Sequence, residues 1–517
     1  MHVNEPRAGK MAHMNTGSLQ TNGEGPPCEH SPLLATPTET EKDLESLSLR
    51  ECADKEDKLP LREIVYDELG GVARLAVPIV ATYLLEMLPG VVSIILVGHI
   101  SGSDAKVLLD ATALGVMFLN LTGLSVGIGL ATAMDTLCSQ AFGASETQIM
   151  GTYLQTGVIV LSLTYILVCF IFYHSTQILI GLGQPLEVTE HTGKFLLYLL
   201  PGVPFVYLYE LLRKVLQSQN IGYPMLYVAI ASNIVNAALG YYLVYHTQWG
   251  WLGAAVARTV CNMCLSLFLL PYVIMSGLVE TFWSGIHPQA AIRGVGEFLA
   301  LGIPGMLQLC FEWWAFEVLA LLSGLLPNAV LGIGANAVVL NISSMIYMIY
   351  LGLSISGGIR IGNALGAGLP RRACLAAQLT TGISLIVSLF CAAFLLLFRK
   401  KLPLLFTHDK EIADLASTIL VVCVCFQIPD AMNSCVQGIF RGSGSQAVGA
   451  KLNFVAYYIV GIPLGCIFAF LLHQGVVGLW IGMTLGLCLS ASVGLTLIFS
   501  YTDWVSLAKG AGERIQD

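Results

Sequence analysis

The stretch Pro304-Gly-Met-Leu-Gln-Leu-Cys-Phe-Glu312 places an acidic residue inside an apolar segment, and Pro78-Ile-Val-Ala-Thr-Tyr-Leu-Leu-Glu86 has the same spacing 226 residues earlier. A carboxylate in the middle of a hydrophobic segment costs about 3 kcal/mol on insertion scales, so by default it marks a pathway for ions or substrate. Two such residues at one repeat interval indicate a duplicated protein that carries something across a membrane.

The composition excludes an ordinary soluble protein. Hydrophobic residues make up 55% of the 517 residues and charged residues 11%, and mean hydropathy is +0.74, whereas about a quarter of a soluble chain is charged. The apolar segments run about twenty residues or longer, which is enough for a helix to cross ~30 Å of hydrocarbon. We predict an all-α membrane protein with twelve transmembrane helices, the first beginning near residue 71, with the lipid bilayer as its partner and no nucleic acid.

Repeated landmarks divide these helices into two sets of six. Gln140-Ala-Phe-Gly-Ala144 resembles Asn363-Ala-Leu-Gly-Ala367 at an offset of 223 residues, and Pro204 precedes Pro429 by 225. Because six is an even number, both sets enter the membrane from the same side and form a parallel repeat. Parallel repeats are one architecture of secondary transporters, in which the substrate site lies between the halves. We therefore predict two six-helix lobes around a central cleft.

The domain boundaries follow from this division. We predict a disordered cytosolic tail at 1–65, an N-lobe at 66–276, a cytosolic linker at 277–296, a C-lobe at 297–505 and a cytosolic tail at 506–517. The positive-inside rule places both termini in the cytosol, because these basic residues then face inward: Arg213, Lys214, Arg293, Arg360, Arg371, Arg372, Arg441 and Lys509. The loop with Arg399, Lys400 and Lys401 opposes this orientation.

The destination membrane stays open between two alternatives. Glu29-His-Ser-Pro-Leu-Leu34 in the polar tail has the form of an acidic dileucine sorting signal. Such a signal would direct the chain to a vacuolar or lysosomal membrane, and the alternative is the plasma membrane.

Glu312 is the first candidate for the transport chemistry. It lies fifteen residues after Glu297, or ~22 Å along a helix, which is well inside the hydrocarbon. Burial without a cation disfavours the charged form, so Glu312 is expected to hold a proton that it can exchange for a cation. The neighbouring Trp313 offers aromatic surface for cation contact.

Other polar residues at membrane depth extend the candidate site. Asp430, directly after Pro429, is a second candidate proton site because a proline frees backbone carbonyl groups and creates a local polar pocket. Glu317 lies about 140° around the helix from Glu312, so we expect it on another face. It could take part in transport, or it could form a hydrogen bond within the lobe or lie in an outer vestibule. We expect Asn341 and Tyr347 to line the substrate cavity.

Glu86 leaves two alternatives open. It occupies the place in the first half that Glu312 has in the second, so it could bind a proton. The other interpretation is a glutamate that hydrogen-bonds to a neighbouring helix without a role in turnover.

Several functions have no support in the sequence. The fourteen cysteines are scattered through apolar segments, so there is no ground for disulfides, a bound metal or any other cofactor. Neither an HExxH motif nor a pair of catalytic aspartates was found, so we do not expect an enzyme.

Residues 70–500 resemble the eukaryotic branch of the multidrug and toxic compound extrusion (MATE) family. The resemblance rests on Phe311–Glu317, Leu322–Asn328, Asn341–Tyr347, Arg360–Gly368 and Arg441–Gly444. It implies a proton-coupled antiporter that expels organic cations, drugs or secondary metabolites by alternating access, with its key acids at Glu312 and Asp430. We expect it to act as a monomer. A lipid-linked flippase of a related fold is the alternative, and it would need a basic cavity.

Two departures from the family pattern bear on substrate and coupling. Animal members have a glutamate where this chain has Asn341, so their substrate preference does not transfer directly. Some prokaryotic members have an aspartate where this chain has Ser93. Because Glu86 lies two helical turns before Ser93 on nearly the same face, we hypothesise that it partly replaces that acid.

Overall fold

The computed structural model describes residues 60–100 and 105–516, and the proposed sorting signal at 29–34 lies outside these residues. The described residues contain twelve helices long and apolar enough to cross a membrane, as predicted from the sequence. We number them α1 to α12: Leu61–Gly98, Ala105–Gly143, Ile149–Tyr173, Leu186–Ser218, Tyr223–His246, Leu252–Met275, Val295–Ser323, Ala329–Gly366, Pro370–Phe398, Lys410–Ser443, Gln446–Leu471 and Gly475–Tyr501.

Short helices connect some of these spans, and a further helix follows them. Ser175–Gly181 lies after α3, and Val279–Phe282 and Pro288–Arg293 lie within the predicted linker between the halves. Trp504–Gln516, which we call α13, follows α12. Most of the predicted tail at 506–517 therefore forms a helix, and its Ala511 is fully buried against the second half.

Each half has its own apolar core. The first contains Leu137, Phe195 and Leu216, and the second contains Phe426 and Trp480. In lipid, helices associate mainly through close van der Waals packing and hydrogen bonds between helices, and large side chains contribute through that packing. A smaller apolar cluster between α1 and α8 joins the two halves.

The halves meet closely at the end of the bundle where α1 begins. Gly143, at the end of α2, lies so close to the carbonyl O of Asn363 on α8 that a Cβ atom there would collide with it. Gly366 lies in the same way against the carbonyl O of Gln140. The two repeated motifs thus pack reciprocally and close this end of the cleft.

Helix α1 begins at Leu61, about ten residues before the predicted start, and so includes the end of the predicted tail. Its polar first turns pack because Glu68, 1% exposed, is paired with Arg360 at 2.6 Å and with Arg372 at 2.5 Å. Hydropathy alone misses such a segment, since its charges are neutralised by residues that lie about 300 positions away in the sequence. These ion pairs also join the two halves.

Two of the basic residues used for the orientation argument lie inside the protein. Arg213 is fully buried and pairs with Glu86 and Glu210, and Lys214, 3% exposed, lies 2.7 Å from Asp135. Because these charges are neutralised within the first bundle, they carry less weight as markers of a membrane side than exposed residues do.

Candidate functional site

A cavity of about 240 Å³ lies between the two halves. Most of its lining comes from α7, α8 and α10 of the second half, and α1 and α2 of the first half complete it. The lining residues are Met87, Asn120, Leu121, Glu312, Trp313, Phe316, Glu317, Leu340, Ser343, Ser344, Tyr347, Met348, Phe426 and Asp430. The cavity is thus where the sequence predicted a cleft, and it contains five of the seven predicted site residues.

Glu312 on α7 and Asp430 on α10 face this cavity from neighbouring helices. They are 5% and 3% exposed, and no salt bridge among the described residues includes either one. Tyr347 on α8 lines the same cavity beside the two acids. Two acids at membrane depth without a paired cation form a site that can be neutralised by protons or by a positively charged ligand.

Glu317 lines the same cavity as Glu312, so the expectation that it cannot share that face is wrong. The angle between the two positions on α7 is large, but the cavity extends around a wide face of the helix that also includes Trp313 and Phe316. Glu317 is only partly buried, whereas Glu312 is buried. Three acids therefore line the cavity, of which Glu312 and Asp430 are buried and Glu317 is partly buried.

Aromatic side chains form much of the remaining wall. Trp313, Phe316 and Tyr347 line the cavity with Phe426, and the rings of Phe316 and Phe426 lie edge to face with centroids 6.3 Å apart. Negative ring faces beside carboxylates favour a cation.

Asn341 is not among the lining residues, which corrects its assignment to the cavity. Its side chain is exposed and donates a hydrogen bond to the carbonyl O of Ala337 at 2.8 Å. The lining residues of α8 form a stripe that includes Leu340 and Ser344, and one step along a helix rotates a side chain by about 100°. Asn341 therefore lies beside this stripe.

The first half contributes an irregular helical turn to the cavity. Residues Leu119–Leu124 of α2 form a π-helical segment, and Asn120 and Leu121 within it line the cavity. The Leu121 carbonyl O accepts a hydrogen bond from the Trp314 indole nitrogen of the second half at 3.2 Å. A π-helical turn is frequent at functional sites because its wider turn changes which backbone groups are free.

Glu86 is held in an ion pair away from this cavity. Its Oε1 accepts hydrogen bonds from the Tyr209 hydroxyl and from Arg213 Nη1, both at 2.9 Å, and Arg213 also pairs with Glu210. Hydrogen bonds between a guanidinium and a carboxylate are among the strongest in proteins. This geometry favours the structural interpretation of Glu86 over the proton site, which stays a hypothesis.

A buried polar network that the sequence did not reveal continues from the acids toward the closed end. Asn433, one turn after Asp430, accepts hydrogen bonds from Ser490 at 2.6 Å and from Gln437 at 3.2 Å. Gln437 in turn donates to Asn453 at 2.7 Å, and Asn453 donates to the Gln308 carbonyl O at 3.0 Å. These residues come from four helices, so only the presence of a polar side chain at membrane depth could have indicated each of them.

The sequence profile of the MatE family matches the chain twice, at residues 78–242 and 304–467. The two matches begin at Pro78 and Pro304, the prolines that open the two repeated acidic segments. The profile therefore covers more than half of the chain and follows its internal repeat.

Similar proteins carry names that agree with this match. Multidrug and toxin extrusion protein 2 of Oryctolagus cuniculus is 34% identical over 94% of this chain and 79% of its own length. Multidrug and toxin extrusion protein 1 of Xenopus tropicalis is 35% identical over 88% of this chain and 78% of its own length.

Solved structures share the fold. The crystal structure of the eukaryotic MATE transporter AtDTX14 superposes with a TM-score of 0.83 and 33% identity, covering 87% of this chain and all of its own. The Vibrio cholerae MATE transporter VcmN in its bent form, at 16% identity, gives a TM-score of 0.73 over 87% of this chain and 99% of its own. The second likeness shows the fold alone.

Proposed function

Because the chain belongs to the MATE family of transporters, we propose that it is a proton-coupled antiporter that exports organic cations, xenobiotics or secondary metabolites. The observation that carries this proposal is the pair of buried acids, Glu312 and Asp430, which share a cavity with aromatic residues and take part in none of the ion pairs of the described residues. The family consists of transporters and not of enzymes, so the acids serve binding and release.

Exchange requires that proton and cargo compete for the same groups. When Glu312 and Asp430 carry protons, the cavity loses the charge that attracts a cation, and cargo leaves. When the protons leave, the cavity becomes anionic and binds the next cation. Coupling of this kind is reciprocal, so a pH gradient drives cargo and a cargo gradient drives protons.

The cargo class follows from the lining of the cavity. Three acids and four aromatic residues favour a cation with an apolar or aromatic body. Trp313 and Tyr347 are placed to contact such a body, and Glu317 lies on the wall where cargo would pass. The names of the relatives, multidrug and toxin extrusion proteins, support a broad range of foreign compounds.

A lipid-linked flippase is the alternative function. Its cavity would have to hold phosphate groups, which need arginine or lysine side chains. None of the described residues that line the cavity is basic. The geometry therefore favours cations over lipid phosphates.

Alternating access is expected from the arrangement of the halves. The lobes pack tightly where the repeated motifs meet, and Glu68 adds ion pairs at the same end. Transport requires that this end opens while the other closes, with each core kept intact as a unit. We propose that one chain, acting as a monomer with both termini in the cytosol, carries out the cycle in the plasma membrane or in a vacuolar or lysosomal membrane.

Reconstitution of the full chain in proteoliposomes tests the proposal. A labelled quaternary ammonium ion should move against an imposed pH gradient, and inversion of the gradient should reverse its direction. Glu312→Gln and Asp430→Asn should each abolish pH-driven movement, whereas Glu187→Gln, at an exposed position outside the cavity, should not. If a sodium gradient drives the cargo and a pH gradient does not, proton coupling is refuted.

A labelled lipid phosphate assayed in the same vesicles separates the two functions. Movement of this lipid without movement of the ammonium ion would replace the antiporter proposal with the flippase.

A further inference from the structure

Arg258 on α6 is a buried cation without an acidic partner. It is 7% exposed, and none of the salt bridges among the described residues involves it. Its Nε and Nη1 atoms are shielded from solvent and form no hydrogen bond. The other buried basic residues of the first half, Arg213 and Lys214, are both paired with acids. A charge at membrane depth that lacks any partner is strongly unfavourable and marks a functional site by default.

Two polar side chains on α5 also have donor groups without a hydrogen-bond partner. Asn236 on α5 is 1% exposed, and its amide nitrogen makes no hydrogen bond. Ser232, one turn earlier on the same buried face, is fully buried, and its hydroxyl is likewise unpartnered.

The packing of three helices brings this face toward Arg258. Gly240, one turn after Asn236 on α5, lies against α6, because a Cβ on Gly240 would be 3.4 Å from Ala257. On the side of α1, a Cβ on Gly90 would be 3.6 Å from Arg258 Nη1. The arginine therefore lies where α1, α5 and α6 meet, and the absence of a side chain at position 90 lets its guanidinium group approach α1 closely.

We propose that Arg258, with Asn236, forms a binding site for a small monovalent anion inside the first half. The Nε and Nη1 groups of Arg258 and the Asn236 amide nitrogen are all hydrogen-bond donors, so the missing partner is an acceptor. The unpaired guanidinium group requires that this partner be negative. The ligand is a small free anion, either a halide such as chloride or a small carboxylate ion.

The charge of Arg258 is opposite to that of Glu312 and Asp430, the buried acids that line the cavity. Glu86, an acid of the same half, cannot neutralise Arg258 because it is bound to Arg213.

Thermal unfolding of the purified full chain in detergent tests the proposal. The probes are chloride and acetate, each titrated against isethionate at constant ionic strength, because isethionate is too bulky for a site enclosed by three helices. Binding to the folded state alone raises the unfolding temperature with ligand concentration. We expect a saturable rise with at least one probe. Absence of a rise with both probes would overturn the proposal.

The variant Arg258→Leu should remove the site while the protein remains folded. Replacement of an unpaired buried charge by an apolar residue stabilises a protein, so in isethionate this variant should unfold at a higher temperature than the natural chain. It should show no response to either probe. A response equal to that of the natural chain would overturn the proposal.

Two further variants separate specific binding from general salt effects. Arg293→Gln, at an exposed arginine, should keep the full response. Asn236→Leu should need about tenfold more anion for half the rise, as expected if one hydrogen bond to a charged ligand is lost. A response to chloride alone identifies the free ion as the ligand, and a response to acetate alone identifies a carboxylate.

Discussion

Gly143 and Asn363 touch across the boundary between the halves, with no room for a side chain at the glycine. The same contact recurs between Gly366 and Gln140, which occupy the corresponding places in the two repeated motifs. Tight closure at one end of the cleft thus depends on two glycines. Gly143 and Gly366 occupy equivalent places in the two motifs, and each one contacts the motif of the other half.

Gly143→Ala should weaken this closure. The added methyl group meets backbone and not a flexible side chain, so the helices must separate, at a cost of about 1–3 kcal/mol for the closed arrangement. We expect slower cargo movement in proteoliposomes and faster amide hydrogen exchange at 140–144. Gly382→Ala is the matched control, since nothing lies within 4 Å of a Cβ atom at that position. If the two variants had the same rate of cargo movement and the same hydrogen exchange, the contact at Gly143 would not be what closes this end of the cleft.

Glu68→Gln should open the same end by removing charge. The variant leaves Arg360 and Arg372 without their buried carboxylate, which should destabilise the closed arrangement by about 2–4 kcal/mol. Hydrogen exchange should rise at both ends of the contact, in the first turns of α1 and near Arg360. Glu63→Gln, at an exposed position on the same helix, should change neither region. Unchanged exchange in Glu68→Gln would show that the ion pairs do not hold this end.

Glu86→Gln distinguishes the two interpretations of that residue. If the ion pair with Arg213 is structural, the variant should lose about 2–4 kcal/mol of stability, because a buried guanidinium loses one of its two partners, yet it should keep its proton coupling. The measurements are the thermal unfolding temperature and cargo movement under a pH gradient. Loss of coupling in a protein that remains folded would instead support the hypothesis that Glu86 binds a proton.

Trp313→Ala should weaken cargo binding. A cation held against an indole face gains about 1–2 kcal/mol, so the KM for an aromatic cation should rise by about five- to thirtyfold, with a smaller effect on the maximal rate. Trp249→Ala, at a tryptophan that is 45% exposed and outside the cavity, provides the comparison. A KM unchanged by Trp313→Ala would exclude this residue from the cargo contact.

The sequence predicts how far along its helix each residue lies. It does not predict which way each helix face points or which residues that face contacts. Hydropathy gave twelve spans, and the spacing of prolines and acids gave the repeat and the pair Glu312 and Asp430. Glu317 lines the cavity and Asn341 does not, and this depends on how wide a face of each helix borders the cavity. That width is set by packing between helices far apart in the sequence.

The partner of a buried charge is equally hidden in a single sequence. Glu86 pairs with Arg213, which is 127 residues away, and Glu68 pairs with Arg360 at a separation of 292. Neither spacing follows any helical period. Arg258 could have been singled out as a cation within an apolar helix, but only the structure shows that the ion pairs of the described residues do not include it.

The helix α13 reaches beneath both halves, and its Arg514 donates a hydrogen bond to Gln140 of α2 at 2.8 Å. Arg514 follows all twelve spans in the sequence and is therefore synthesised after them. This hydrogen bond can form only after every span has been synthesised. A chain that ends before residue 514 would have all twelve spans but would lack the hydrogen bond between α13 and α2.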